Sequence, residues 1–165
     1  MTGVQTCALP ICKRAVEALW SACEGVLVLV EPGTPDGFAR ILEARTLLAR
    51  LGARIAAPCP GDYACPIQAP DWCHFAVRLP RLRAHLRAKG ASVPFEDEKF
   101  SYLAVAREGM ALTPVASRIL ARPHVTKPGV QLRVCAEGAI SERWTLKRDK
   151  DAYRALSKKG WGDAL

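Results

Sequence analysis

No aliphatic run in the 165-residue chain is longer than five residues, Val26-Leu27-Val28-Leu29-Val30. A helix that crosses a bilayer needs about 20 apolar residues, so no stretch here reads as a transmembrane helix. The opening lacks the order of a secretory signal, because Lys13 and Arg14 follow the first apolar stretch instead of preceding it. No glycine-rich nucleotide-binding turn follows any strand candidate; the nearest, Glu31-Pro32-Gly33-Thr34-Pro35, has one glycine. Internal repeats and low-complexity segments are absent. Beyond residue 12, no two cysteines are separated by only two to four residues, the spacing with which structural zinc sites usually begin. Acids are scarce, 16 Asp and Glu against 24 Lys and Arg, which leaves a net charge of +8. That excess favours an anionic partner, nucleic acid first, because nothing resembles a membrane-binding amphipathic helix.

What is present suits one α/β domain. Half the residues are hydrophobic, enough to bury a core and to exclude wholesale disorder. Residues 1–12, MTGVQTCALPIC, have no period and resemble translated adapter sequence, so they read as an artefactual or disordered leader. Cys7 and Cys12 are set aside on that ground. The remainder, residues 13–165, reads as one partial domain. A short helix is predicted over 13–24, with Val16, Leu19 and Trp20 on one side. Residues 26–30 have the continuous apolar pattern of a strand buried on both faces, as in a parallel sheet. Thr34 and Pro35 are a cap and first-turn pair for a helix with a Phe38, Ile41, Leu42, Leu48, Leu51 stripe, ended by Gly52. Residues 53–57 return as a strand, completing a βαβ unit. A further helix is predicted over 80–90 with Leu79, Leu82 and Leu86 inward. Strands are predicted over 99–107, 131–135 and 142–148, the last two joined across Gly138, and a basic helix over 149–159. Three or four core strands are too few for a complete doubly wound sheet, so the pattern suggests the back half of one.

The segment 58–75 has no period and holds four prolines and three cysteines, which suggests an ordered loop held by something. Cys59, Cys65 and Cys73, with the distant Cys135, supply four thiols, enough for a tetrahedral zinc or an iron–sulfur cluster. Wide spacing in a proline-stiffened loop favours the larger group, and Cys-Pro recurs in ferredoxin-type motifs. Zinc and incidental buried thiols remain the alternatives on spacing alone. Leu132 and Val134 share one strand face, so Cys135 points to the other, which permits ligation if its strand passes near the loop. Cys23 reads as a small core residue.

Several motifs together are more specific: Glu31-Pro32-Gly33-Thr34-Pro35, Ala57-Pro58-Cys59-Pro60, Cys65-Pro66, Asp71-Trp72-Cys73-His74-Phe75, Glu96-Asp97-Glu98-Lys99-Phe100-Ser101-Tyr102 and the closing Trp161-Gly162-Asp163. In these the chain resembles the C-terminal portion of the Rsm22 family, whose mitochondrial members are methyltransferase-like proteins of small-ribosomal-subunit assembly. The resemblance covers about residues 24–165. It implies the C-terminal part of a class I S-adenosylmethionine-dependent methyltransferase (Rossmann-like) fold with a Cys-rich insertion. It also implies a four-iron, four-sulfur cluster, with Cys59, Cys65, Cys73 and Cys135 as ligands. The implied partners are the small ribosomal subunit and its rRNA, with no DNA and no membrane. The implied location is the cytoplasm in a bacterium or the mitochondrial matrix in a eukaryote. The family's glycine-rich S-adenosylmethionine turn has no match here, so cofactor binding is implied for the full-length family only. Two rivals stand beside this reading: an RNA methyltransferase whose cofactor half lies elsewhere, and a zinc-stapled RNA-binding module without catalysis.

Other residues are weighed alone. Arg78, Arg81, Arg83, Arg87 and Lys89 form a basic stretch with no acid among them, suited to RNA phosphates. Glu96, Asp97 and Glu98 are placed to pair with those cations and not to act as a general acid or base. Glu31 reads as a turn residue at a strand end. His74, beside Cys73, is the one histidine placed to act on a metal ligand from behind, and Trp72 and Phe75 read as its shield from water. Lys147, Arg148, Lys150, Arg154, Lys158 and Lys159 read as solvated surface.

Overall fold

The computed structural model describes the backbone from Leu9 and the side chains from Lys13 onward, so the leader, with Cys7 and Cys12, lies largely outside the described residues. Helix α1 (Leu9–Ala22) begins before the predicted start at Lys13. It buries Trp20 and half-buries Val16, but Leu19 is 50% exposed, so the predicted stripe is narrower than drawn. Strand β1 (Val26–Pro32) leads into α2 (Pro35–Arg50). As predicted, Thr34 caps this helix, accepting from the Gly37 N–H at 3.1 Å, and Pro35 takes the first turn. Ile41 and Leu48 are buried on its inner side, whereas Leu51 is 45% exposed, beyond the last helical turn that faces the sheet.

The first sheet corrects the parallel expectation: every pairing in it is antiparallel. Strand β4 (Phe95–Ala106) is its spine. β1 runs along one side from Val26↔Ala106 to Pro32↔Phe100. On the other side lie β2 (Arg54–Ala57), against Ala104–Ala106, and β3 (Phe75–Pro80), against Phe95–Phe100. The predicted β1–α2–β2 unit is therefore present with β4 inserted between its two parallel strands. Nor is β1 buried on both faces. Its Leu27 and Leu29 face the α2 core with Ile41, Leu48, Ile55, Leu103 and Val105, while Val26, Val28 and Val30 are 49%, 54% and 62% exposed. A continuous apolar run cannot distinguish a strand covered on both faces from an edge strand whose outer face is open in this chain.

Helix α3 is shorter than predicted, Arg83–Lys89, and buries no residue. Pro80 closes β3 instead of opening the helix, and Leu79 and Leu82 are 43% and 76% exposed rather than inward. Gly90 ends the helix with φ +58, as read from the sequence.

A second antiparallel sheet centres on β7 (Gly129–Ala136), flanked by β8 (Ala139–Leu146) on one side and by β5 (Arg118–Ile119) and β6 (His124–Val125) on the other. Glu137 (φ +48) and Gly138 (φ +74) make the predicted hairpin turn, the pair of left-handed residues that fits strand twist. Val130, Leu132 and Val134 are buried at 0–1% exposure with Ile119 under α4 (Lys150–Leu156), through Tyr153 and Leu156, and under the C-terminal Leu165. The chain end is stitched to the sheet edge, with Leu165 N–H donating to Ser117 O at 2.9 Å and Gly162 N–H to Ile119 O at 2.9 Å. No helix among the described residues is long and apolar enough to cross a membrane.

Candidate metal centre

Alternation decides which way Cys135 points. With Leu132 and Val134 in the second core, Cys135 lies on the opposite face of β7, paired across from Arg118 and Ile140. That face meets the segment between β2 and β3, which carries no regular structure from Pro58 to His74. Side-chain and backbone ties set the segment in place. Asp62 accepts from the Ile55 N–H at 2.7 Å near its start. The Cys73 carbonyl accepts from Ser101 Oγ at 2.8 Å near its end. Arg133 of β7 holds Asp71 at 2.7 Å, and Arg118 of β5 donates to Pro58 O at 2.8 Å and to Gly162 O at 2.9 Å. One guanidinium thus fastens the residue before Cys59 to the chain's C-terminal tail.

The result is an apolar-walled cavity of about 40 Å³ whose lining includes Cys59, Cys65, Cys73 and Cys135. All four are free thiols, and Cys135 is 8% exposed. They feel one another's charge. Burial pushes the Cys73 thiol up to about 12, and the charges of Cys59, Cys65 and Cys135 push the same way. Burial also raises Cys65 and Cys135, with Cys59 adding to both and Arg45 opposing both. Among the described residues, no group of three or more His, Cys, Asp or Glu side chains is gathered closely enough to hold a metal ion. The thiols surround a cavity rather than a point.

Arg45 of α2 is the residue the sequence reading missed. It is 8% exposed, lines the cavity, and donates one Nη2 hydrogen bond to Tyr63 O, yet its buried Nε has no partner. An unsatisfied buried donor on a cation is costly, and an anion beside it would offset that cost. A signal existed: Arg45 follows Ile41 by one turn and precedes Leu48 on the inward side of α2, where a cation is out of place. Arg118, the second cation on the cavity wall, carried no such signal. Soft thiols with two guanidiniums fit a thiolate-ligated iron–sulfur cluster, which is anionic and whose behaviour depends on hydrogen bonds and burial.

Of the two aromatic residues expected to shield the site, Phe75 lines the thiol cavity and Trp72 does not; Trp72 belongs to a stack beside it. Trp72 donates its Nε1–H to Gly33 O at 3.0 Å and lies on His74 with ring centres 5.1 Å apart; Trp161 meets His74 edge-on at 4.9 Å. Phe75, 4% exposed, lines the cavity, and Gly162 packs against it at φ +93, where an added Cβ would come within 3.1 Å of its ring.

The basic stretch divides. Arg78 pairs with Asp97 at 2.7 Å, while Arg81 and Lys89 both hold Glu96, at 2.8 and 3.2 Å. The predicted acid–cation pairing is thus present, and side-chain hydrogen bonds from Arg81 and then Lys89 hold the Glu96 carboxyl down to about 2. Arg83 and Arg87, on exposed α3, enter no ion pair among the described residues. Glu31 is bound by Arg40 at 2.8 Å, consistent with a turn residue. Cys23 packs partly buried against the first core, as Cys59 also does, but does not line the thiol cavity.

The sequence profile described as mitochondrial small ribosomal subunit Rsm22 matches residues 12–165. The chain belongs to the Rsm22 family. It is 27% identical over 168 residues to the human mitochondrial ribosome assembly protein METTL17, covering 92% of this chain and 35% of that protein. It is 30% identical over 194 residues to the Rsm22-cox11 tandem proteins 2 and 1, both mitochondrial, of Schizosaccharomyces pombe, covering 90% of this chain and 26% of each of those. This Rsm22-family chain therefore spans about a third or less of the relatives it matches, and the four thiols lie within the shared segment.

Proposed function

We propose that this chain is the cluster-bearing, methyltransferase-like portion of a small-ribosomal-subunit assembly factor. In it, Cys59, Cys65, Cys73 and Cys135 hold a four-iron, four-sulfur cluster and the surface meets rRNA. The observation that carries this reading is that three loop thiols and one distant strand thiol line one cavity together with the buried cation Arg45. The relatives' names support assembly of the small subunit and a mitochondrial setting, the second of the two locations read from the sequence. The β1–α2–β2 crossover supports a methyltransferase-like α/β fold.

When bound, a cluster of this kind supplies redox-responsive cross-linking by iron–thiolate bonds. The protein's own residues do the rest. Arg45 and Arg118 offset the negative charge, Phe75 on the cavity wall excludes water, and Arg133 and Arg118 fix the loop between the two sheets. The cluster's role is structural or sensory: with it the loop and the RNA-facing surface are ordered, and without it they loosen. Arg83 and Arg87 are the cations of the basic stretch left to contact phosphate.

The test is co-sedimentation of the protein with small-subunit precursors. Wild type should sediment with them, and Cys59→Ser should not. Equal sedimentation of both would contradict a cluster-dependent role. Cluster-independent sedimentation with stoichiometric zinc would favour the zinc-stapled module.

A further inference from the structure

The face of the second sheet that carries Cys135 continues past the metal centre to an uncovered end. Directly opposed residues of neighbouring antiparallel strands share a face. His124 of β6 opposes Gln131 of β7, and Gln131 opposes Trp144 of β8. The three form one row across three strands, with His124 and Trp144 two strand spacings, or about 9–10 Å, apart. Trp144 is 51% exposed and His124 is also exposed. Gln131, half-buried between them, has an amide near Glu142 at 3.4 Å.

The end of the sheet nearest this row is basic. The turn after β6 carries Lys127 and the turn after β8 carries Lys147 and Arg148, all exposed. The two turns are joined by Lys147 N–H donating to Pro128 O at 2.9 Å. Lys147 also lies over the Tyr153 ring at 5.9 Å. None of these three cations enters an ion pair among the described residues, where Asp151 is taken by Arg154 at 3.7 Å. Glu142 is the acid on the exposed row's own face, next to Gln131. A protein-docking hot spot surrounds its tryptophan with apolar side chains and is depleted in lysine. Here the neighbours are an imidazole, an amide, a carboxylate and a cationic rim. Flat rings on a sheet, a hydrogen-bonding amide between them and phosphate-seeking cations at the margin form the arrangement that stacks unpaired bases.

We propose that the His124–Gln131–Trp144 row is a stacking platform for single-stranded RNA, with Lys127, Lys147 and Arg148 contacting the strand's phosphates. The proposal rests on the reading that this protein meets rRNA and assigns base contact to a surface distinct from α3. It also places the platform on the strand that carries Cys135, so the cluster loop and the RNA face share one rigid element.

The test is fluorescence anisotropy of the full 165-residue chain, purified without oxygen, with a labelled oligouridine of about 12 nucleotides, within the range such surfaces cover. Trp144→Ala should weaken binding about 5- to 150-fold, the fold-change of one lost base–aromatic stack. Trp144→Phe should restore most of it, and a duplex of the same length should show little dependence on residue 144. Lys127→Ala and Lys147→Ala should each lower the salt slope by about 1. Unchanged iron content and circular dichroism in Trp144→Ala would separate a lost contact from a lost fold. If wild type binds and Trp144→Ala binds equally, the platform is wrong and the rRNA reading survives. If that alanine variant instead loses a ribosomal protein, the face docks protein and the proposal fails. If the iron-loaded wild type binds no RNA, the platform and the rRNA contact both fail, while the cluster stands on its iron content.

Discussion

Arg45 is the residue on which the site's electrostatics turn. It is a buried cation with an unsatisfied Nε, and an anionic cluster beside it would give that donor a partner. The two states therefore predict opposite signs for one substitution. Arg45→Met should raise the stability of the metal-free chain by about 1–3 kcal/mol, by removing a buried unpaired donor. The same change should reduce retained iron and sulfide. Denaturant melts in chelator, paired with iron analysis of aerobic and anaerobic preparations, check both halves. Loss of stability without loss of iron would mean that Arg45 serves the packing of α2 alone. Cys73 allows a second residue-scale prediction. Its thiol, raised to about 12 chiefly by burial, stays protonated at neutral pH in the metal-free protein. It should be alkylated by iodoacetamide far more slowly than an unhindered cysteine in a short peptide, because the thiolate is the nucleophile. Mass spectrometry of partially labelled protein gives the rate, and labelling of Cys73 as fast as the peptide would contradict the raised thiol.

At the scale of elements, β3 and β4 are held by an ion network whose pH response has a definite sign. The Glu96 carboxyl is held at about 2 by Arg81 and Lys89, below its ordinary 4.5. A depressed carboxyl contributes stability above its unfolded value and loses that contribution as pH falls through the folded one. Amide exchange in β3 and the start of α3 should therefore rise as pH is lowered from about 4.5 towards 2, beyond the intrinsic pH dependence of exchange. Glu96→Gln should show the looser behaviour already at neutral pH. Equal protection factors in wild type and Glu96→Gln at neutral pH would remove this network from the account. The elements also show what the sequence made legible. Local chemistry was readable wherever it was self-contained: Thr34 and Pro35 opening α2, Gly138 turning the hairpin, and Leu132 and Val134 aiming Cys135 at the other face. Partnering was not. Nothing in Val26–Val30 says that its neighbour is the distant antiparallel segment Tyr102–Ala106, and the two-residue strands β5 and β6 are too short to carry a period. The α3 leucines were misread because Leu79 belongs to a strand and Leu82 only precedes the helix. Arg45 was visible as a cation on an apolar stripe, but its meaning needed the cavity.

For the whole molecule, the structure is two antiparallel sheets with separate cores, joined across the loop that bears three of the four thiols. The first sheet leaves Val26, Val28 and Val30 open, so charge on that face should cost this chain little. Val28→Lys should change its stability by no more than about 0.5 kcal/mol. Leu103→Ala, on the opposite face at 1% exposure, should cost about 2–5 kcal/mol. A large loss from Val28→Lys in a urea melt would show that another surface covers β1. The central claim is that three thiols of the loop and one from β7 of the second sheet hold one iron–sulfur cluster, and composition analysis tests it most directly. The 165-residue chain, purified without oxygen, is assayed for iron, acid-labile sulfide and zinc while its visible spectrum is recorded. The account predicts broad brown absorption with about four irons and four sulfides per chain, lost in Cys135→Ser as well as in Cys59→Ser. A colourless, folded protein with stoichiometric zinc, or iron that survives Cys135→Ser, would contradict it.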